Sequence, residues 1–288
     1  MEQTKMNILA NYHTHSTFCD GNNSLQEIAK FAYENGVNYL GFSSHSAYPA
    51  TTGCEMHPEK FSQYKEDIFQ LKSQYKDKME ILFGFEADFL PPLSFPDYSY
   101  YEKHNPDYLI GSVHFVWNQD AIENGTMTVD DETGKVQEGL EKVFAGDKKK
   151  MVQTYFAHQR EMLKSCDFDI IGHIDLVRKR NKPLNLFSED DSWYKKELLA
   201  TAKEIAKAGV VVEINTGGMA RGATTSPYPS VDFLKILRKF DVPIVFSSDA
   251  HSVENLLYGF DVAANHAKLA GYSERQYLTL DGWKTLNI

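Results

Sequence analysis

The chain has 288 residues, 42% hydrophobic and 24% charged, the make-up of a soluble globular protein long enough for one large domain. Thirty Lys and Arg against forty Asp and Glu give a formal charge of −10, which argues against a broad phosphate-tracking surface for nucleic acid. It leaves room for a small anionic substrate, because bound cations would reverse the local sign.

No apolar run approaches the ~18 residues that span a bilayer, and the first residues hold no stretch long enough to act as a signal sequence. Three scattered cysteines (Cys19, Cys54, Cys166) without metal-ligand spacing read as reduced thiols of a cytoplasmic protein.

In chain order, a strand over 6–12 runs into His13 and His15, with Asp20 in the loop beyond. A helix is expected from Ser24, where Ser24 and Glu27 form a capping-box pattern and Gly36 suits the stop. A strand over 37–43 leads to His45, and a helix runs from Pro58 to Tyr75. Strands over 79–85 and 108–113 end at Glu86 and His114. The polar stretch Asn118–Gly139, with the turn dipeptides Asn124-Gly125 and Thr133-Gly134, is expected to be an excursion of hairpin type. A long helix over 140–165 precedes a strand over 168–172 that ends at His173. The remaining expectations are a helix over 192–208 stopped by Gly209, a strand over 210–215, a helix over 230–239, a strand over 242–248 leading to Asp249 and His251, and a last helix over 253–269.

Strands alternating with helices imply an α/β protein whose strands pair in parallel. An open doubly wound sheet competes with a closed ring. Polar residues at the carboxyl end of nearly every strand favour the ring, since an open sheet concentrates its site at one switch point. Seven strands are expected, and without repeat or linker the chain reads as a single domain, 1–288.

His13 and His15, two apart at a strand end, can share a face and grip one ion. Asp249 and His251 repeat that spacing, and Glu86 is a carboxylate that is costly to bury unless it is paired or bound to metal. Each residue singly has a bland explanation. Together, His13, His15, Asp20, His45, Glu86, His114, His173, Asp249 and His251 exceed what one ion takes, so the pattern points to two or three metals. His57, His104, His158 and His266 read as structural or surface residues, and Cys19 as a packing residue.

The segments YHTHSTFCDG (12–21), LGFSSHSAYP (40–49), GFEADF (84–89), IGSVHF (110–115), FDIIGHIDLVRKRN (168–181), EINTGG (213–218) and SSDAH (247–251) resemble the polymerase-and-histidinol-phosphatase (PHP) family, within it the histidinol-phosphate phosphatase branch. The resemblance implies a distorted seven-stranded parallel (β/α)7 barrel. It implies one metal on His13, His15, Glu86 and Asp249, a second bridged by Glu86 and held by His114 and His173, and a third on Asp20, His45 and His251. Many relatives carry histidine where this chain has Asp20. The divalent ions implied are zinc, iron or manganese, with a bridging hydroxide as nucleophile. Arg160 and Arg221 resemble the phosphate-binding arginines of that branch, and Asp249 or His251 would protonate the leaving alkoxide. The expected enzyme is a histidinol-phosphatase converting L-histidinol phosphate to L-histidinol and phosphate in histidine biosynthesis, with a small phosphorylated substrate and no nucleic-acid or membrane partner. The alternative within the family is another small phosphoester or nucleotide. A metal-dependent amidohydrolase also begins with H-x-H, but commonly uses a carboxylated lysine where this chain offers Glu86. A non-catalytic metal-binding protein is the remaining reading.

Overall fold

Seven short strands form one parallel sheet in the computed structural model, which describes residues 8–46 and 53–288. They are β1 (Ala10–Asn11), β2 (Tyr39–Phe42), β3 (Glu80–Asp88), β4 (Tyr108–Ser112), β7 (Ile170–Ile171), β8 (Val211–Asn215) and β9 (Ile244–Ser247), hydrogen-bonded in that order. The sheet curls until its two edges meet at a single parallel bridge, Thr14 to Ala250. There the His15 N–H donates to the Ala250 carbonyl at 2.9 Å and the Ala250 N–H donates to the His13 carbonyl at 3.2 Å. Below that bridge the side chain of Asn11 replaces the ladder, donating to Ser248 Oγ at 2.7 Å and accepting the Ser248 N–H at 3.1 Å. The result is a distorted (β/α)7 barrel, nearly closed.

Helices α1 (Leu25–Glu34), α2 (Phe61–Gln74), α3 (Thr133–Phe144), α4 (Lys148–Ser165), α5 (Asn181–Leu184), α6 (Ser192–Ala208), α7 (Gly217–Ala220), α8 (Val231–Arg238) and α9 (Phe260–Leu269) lie between the strands in sequence. The apolar stripes of α1, α6 and α8 bury Leu25, Ile28, Leu198, Ile205, Phe233 and Leu237 in the main core. The expected capping box at Ser24 and Glu27 is present, and Gly36 and Gly209 take the left-handed conformation just past their helices.

A second, smaller core fills the barrel itself: Ala10, Tyr12, Leu82, Tyr108, Ile110, Ile170, Val211, Val245 and Leu278. Tyr108 needs Gly41 on β2 and Gly84 on β3, since a Cβ at either would come within 2.4–2.5 Å of its ring or hydroxyl. Because strand side chains alternate, an inward residue recurs every second position. On β3 this carries the inner face from Leu82 in the apolar plug through Gly84 to Glu86 and Asp88 at the carboxyl end. The polar site therefore sits on a dry floor.

Four expectations change. Thr133-Gly134 is the first turn of α3 rather than a loop, because Val136, Leu140 and Val143 give the following residues a buried helical stripe. The helix expected over 140–165 is two helices, separated where Ala145 and Gly146 both take positive φ (+51° and +78°) and Asp147 caps α4 through the Lys150 N–H. The last helix is likewise interrupted, by Gly259 at φ +69°. The hairpin β10 (Glu274–Thr279) and β11 (Gly282–Asn287) was not expected; it closes the bottom of the barrel with Leu278.

The excursion after β4 does contain a hairpin, β5 (Phe115–Trp117) with β6 (Thr126–Thr128). Met6 and Asn7 of the expected first strand and Ala47–Pro49 of the second motif lie outside the described residues. Among the described residues, no helix is long and apolar enough to cross a membrane.

Candidate metal centre

The bridge that closes the barrel also assembles the site. It sets His13 and His15 beside Asp249 and His251, so that residues from opposite ends of the chain touch: the His15 and His251 rings stack at 4.1 Å between centroids. At the centre stands Glu86, 1% exposed. Its Oε2 lies 3.0 Å from His13 Nε2, 3.4 Å from His15 Nε2 and 3.2 Å from His45 Nδ1. Its Oε1 lies 3.0 Å from His173 Nε2 and 3.6 Å from His114 Nε2. One carboxylate thus turns a different oxygen toward each of two imidazole groups.

Asp249 adds a carboxylate oxygen 3.3 Å from His15 Nε2 and 3.7 Å from His13 Nε2. Its φ of +50° is a left-handed conformation that costs a non-glycine residue energy and here belongs to the site. Toward solvent, Asp20 Oδ2 lies 3.2 Å from His251 Nε2, while Asp20 Oδ1 is 3.6 Å from His15 Nδ1 and 3.9 Å from His45 Nε2.

A further layer of carboxylates aims these rings. Glu213, fully buried on β8, holds His13 Nδ1 at 2.9 Å and accepts the His173 N–H at 2.7 Å. Asp88 holds His114 Nδ1 at 2.7 Å, and the Ser112 hydroxyl donates to Glu86 Oε1 at 2.7 Å. Fixing one ring nitrogen leaves the other to face the centre.

Burial works against the charge on His13, yet Glu213, Glu86 and Asp249 outweigh it and hold its imidazole well above the ordinary range. His114 is likewise held up at about 10, where Asp88 and Glu86 overcome burial. His15 goes the other way: burial, with His251 and His45 beside it, pushes it down to about 3. Burial opposes the charges of Glu86 and Asp249 too, but His13, His45 and His114 around the one, and Arg221 and His13 around the other, keep both well below the usual carboxylate range. The Cys19 thiol, 3.5 Å from His15 Nδ1, is pushed up to about 12 by burial.

Whether such donors fit metal can be tested on their spacing. Donors about 2.1 Å from an ion sit roughly 3.0 Å apart in octahedral and 3.4 Å apart in tetrahedral arrangement. The Glu86 and Asp249 contacts to His13, His15, His45 and His173 span 3.0–3.7 Å. His13 Nε2, His15 Nε2, His45 Nδ1 and Asp20 Oδ1 are buried yet make no directed hydrogen bond, which is costly for neutral packing and natural for ligand atoms. Three overlapping groups could each hold an ion: His15, Asp20, His45 and His251; His13, Glu86 and His173; His13, His15 and Asp249. The donor set fits a multinuclear metal site. It differs from the expectation in that His15 also joins the Asp20 group, and His114 stands slightly apart from the tightest groups.

The cluster opens into a cavity of about 380 Å³ that Arg221 and Lys179 also line. Arg221 reaches in from the end of α7, its Nη2 2.7 Å from Asp249 Oδ2 and its Nη1 donating to the Asp249 carbonyl at 2.9 Å. Arg160 is not brought there, which corrects its expected place. It lies on the outward side of α4 and pairs with Glu197 at 2.8 Å and Thr201 at 3.1 Å on α6.

Sequence reasoning did not single out Asp88, Asp130, Lys179 or Glu213. Asp88 follows Glu86 by two, the same-face spacing already used for His13 and His15. Glu213 is an acid inside an otherwise apolar strand, a signal of the same kind as Glu86. Lys179, paired with Asp130 at 2.8 Å, lies within a motif segment but among three consecutive cations that spacing alone does not distinguish.

Residues 11–217 match the PHP domain family. A Schizosaccharomyces pombe protein named "probable histidinol-phosphatase" is 25% identical, the match covering 90% of this chain and 86% of that one. The histidinol-phosphatase of Bacillus subtilis is 22% identical over 86% of this chain and 96% of its own. The crystal structure of histidinol phosphate phosphatase from Lactococcus lactis, in complex with zinc, L-histidinol and phosphate, superposes with a TM-score of 0.68 at 18% identity, covering 96% of this chain and 98% of that chain. With the barrel, the clustered imidazoles and carboxylates, and a family match over most of its length, this chain belongs to the PHP domain family of metal-dependent phosphoesterases.

Proposed function

We propose that this protein is a phosphomonoesterase that hydrolyses L-histidinol phosphate to L-histidinol and phosphate. The observation that carries the reading is Glu86, whose two oxygens face separate imidazole groups as a carboxylate shared between two cations would. His13, His15, Glu86 and Asp249 would hold one ion, Glu86, His114 and His173 a second, and Asp20, His45 and His251, with His15 close by, a third. Divalent zinc, iron or manganese bound there would lower the pKa of water to about 7 and offset phosphate charge.

The remaining work falls to side chains. Arg221, held by Asp249 and lining the cavity, is the proposed planar donor to phosphate oxygens, and Lys179 supplies a second cation. Asp249 is too firmly ionised to give a proton, which leaves His251, at the cavity mouth and 3.2 Å from Asp20, as the proposed donor to the leaving alkoxide when only the two inner ions are bound and its ring is not a ligand.

The substrate rests on the relatives named as histidinol-phosphatases, which match over most of their length, and on a cavity sized for a small molecule. The test is phosphate release by metal-loaded protein from L-histidinol phosphate and from a panel of nucleotides and sugar phosphates. Preference for L-histidinol phosphate supports the assignment. Preference for a nucleotide would transfer it to the family's other small phosphoesters.

A further inference from the structure

The cavity has two chemically different sides. Its floor is the imidazole and carboxylate cluster, where the buried Nε2 atoms of His13 and His15 make no directed hydrogen bond and mark the place where a ligand is taken. Its wall is built by the hairpin strap and the turn after β7, which contribute Phe115, Leu176, Asp130 and Asp131. A phosphoryl group on the floor leaves its alcohol portion to this wall.

The two wall carboxylates are not equivalent. Asp130 is matched by Lys179 at 2.8 Å, and both side chains are largely buried. The cationic partner of Asp131 is Lys135, four residues on at 3.3 Å, with a lysine side chain 63% exposed. Such exposed pairs are screened by water and readily exchanged. Asp131 Oδ1 also accepts the Glu132 N–H at 2.7 Å, while no described residue hydrogen-bonds its Oδ2. The backbone beneath it is fixed: Arg180 donates to the carbonyls of both Asp130 and Asp131. Asp131 is therefore a positioned negative charge, beside apolar surface, with an acceptor to offer.

We propose that Asp131 is a specificity-determining residue that receives the cationic group of the leaving alcohol, so that the site selects phosphomonoesters carrying an ammonium close to the ester oxygen. This deepens the phosphomonoesterase reading and rests on it.

The experiment compares two matched pairs on metal-loaded protein: L-histidinol phosphate with its deaminated analogue, and O-phosphoethanolamine with ethyl phosphate. Wild type is expected to favour the aminated member in kcat/KM. In Asp131→Asn that preference falls by about tenfold or more, the loss of one charge-assisted hydrogen bond, while kcat/KM on the amine-free members holds. General damage to the fold would lower both members of a pair together and leave their ratio unchanged. An unchanged ratio in Asp131→Asn, or a wild type indifferent to the amine, overturns the assignment of Asp131 and leaves the phosphatase reading standing. Poor turnover of L-histidinol phosphate with a preserved effect on the second pair would overturn only the named substrate. Turnover of no phosphoester at all would overturn the parent reading and this inference with it.

Discussion

Glu213 grips Nδ1 of His13 at 2.9 Å with both groups fully buried, so the ring is locked with Nε2 facing Glu86. An acid so placed acts on a metal through the ligand it orients. Glu213→Gln keeps shape and hydrogen-bonding capacity but removes the charge, and is expected to weaken zinc affinity about 10–100-fold. Competition against a chromophoric chelator measures it. Unchanged affinity would reduce Glu213 to a structural partner of the His173 and Asn215 N–H groups.

Glu86→Ala removes the carboxylate whose two oxygens face the two imidazole groups. Phosphatase turnover should fall by at least about 10³-fold while circular dichroism stays native-like, because the apolar plug below Glu86 remains. Near-normal turnover would remove the shared role of Glu86.

Loading the cluster should release protons. Without metal, His13 and His114 are held in the protonated state by Glu213, Asp88 and Glu86, against burial, and His114 keeps its proton up to about pH 10. A ligating imidazole must be neutral, so at pH 7–8 each such histidine gives up a proton when an ion binds, and apparent affinity rises with pH. Titration calorimetry in buffers of different ionisation enthalpy reads the number released. A binding heat independent of buffer would contradict the assigned protonation.

Arg160 and Arg221 should separate cleanly. Arg160→Ala cuts a tie between α4 and α6 and is expected to lower stability by about 1 kcal/mol, with kcat/KM unchanged. Arg221→Ala is expected to lower kcat/KM and, because it leaves the buried Asp249 carboxylate short of its cationic partner, to lower the melting temperature of the metal-free protein as well. The opposite pattern in kcat/KM would restore Arg160 to the site.

That contrast shows where the sequence was readable. Strand-end residues such as Glu86, His114 and His173 were legible because a strand fixes direction: every second side chain points inward, so a polar residue ending an apolar run lands at the mouth. Arg160 was not legible, because on a helix a shift of one or two residues turns a side chain from the cavity to a neighbouring helix, and only Glu197 and Thr201 on the distant α6 reveal which. The break at Ala145-Gly146 was hidden by apolar stripes on both sides of it. The closing hairpin carried the turn dipeptide Asp281-Gly282, but its inward residue, Leu278, gains meaning only once a barrel needs a floor.

That floor leads directly to the ligands. Tyr12, one residue before His13, donates its hydroxyl to the Leu278 carbonyl at 2.9 Å and accepts the Leu278 N–H at 2.8 Å, all three groups being buried. Leu278→Ala opens a void against Tyr12 and Tyr108 and is expected to cost about 2–5 kcal/mol of stability. Tyr12→Phe keeps the packing but orphans both backbone groups of Leu278, at a cost of about 1–3 kcal/mol. If the hairpin serves only as a plug, both variants unfold at lower denaturant yet bind their full complement of zinc at 25 °C. Loss of zinc from folded Tyr12→Phe would instead mean that the plug holds β1, and with it His13 and His15, in ligating position.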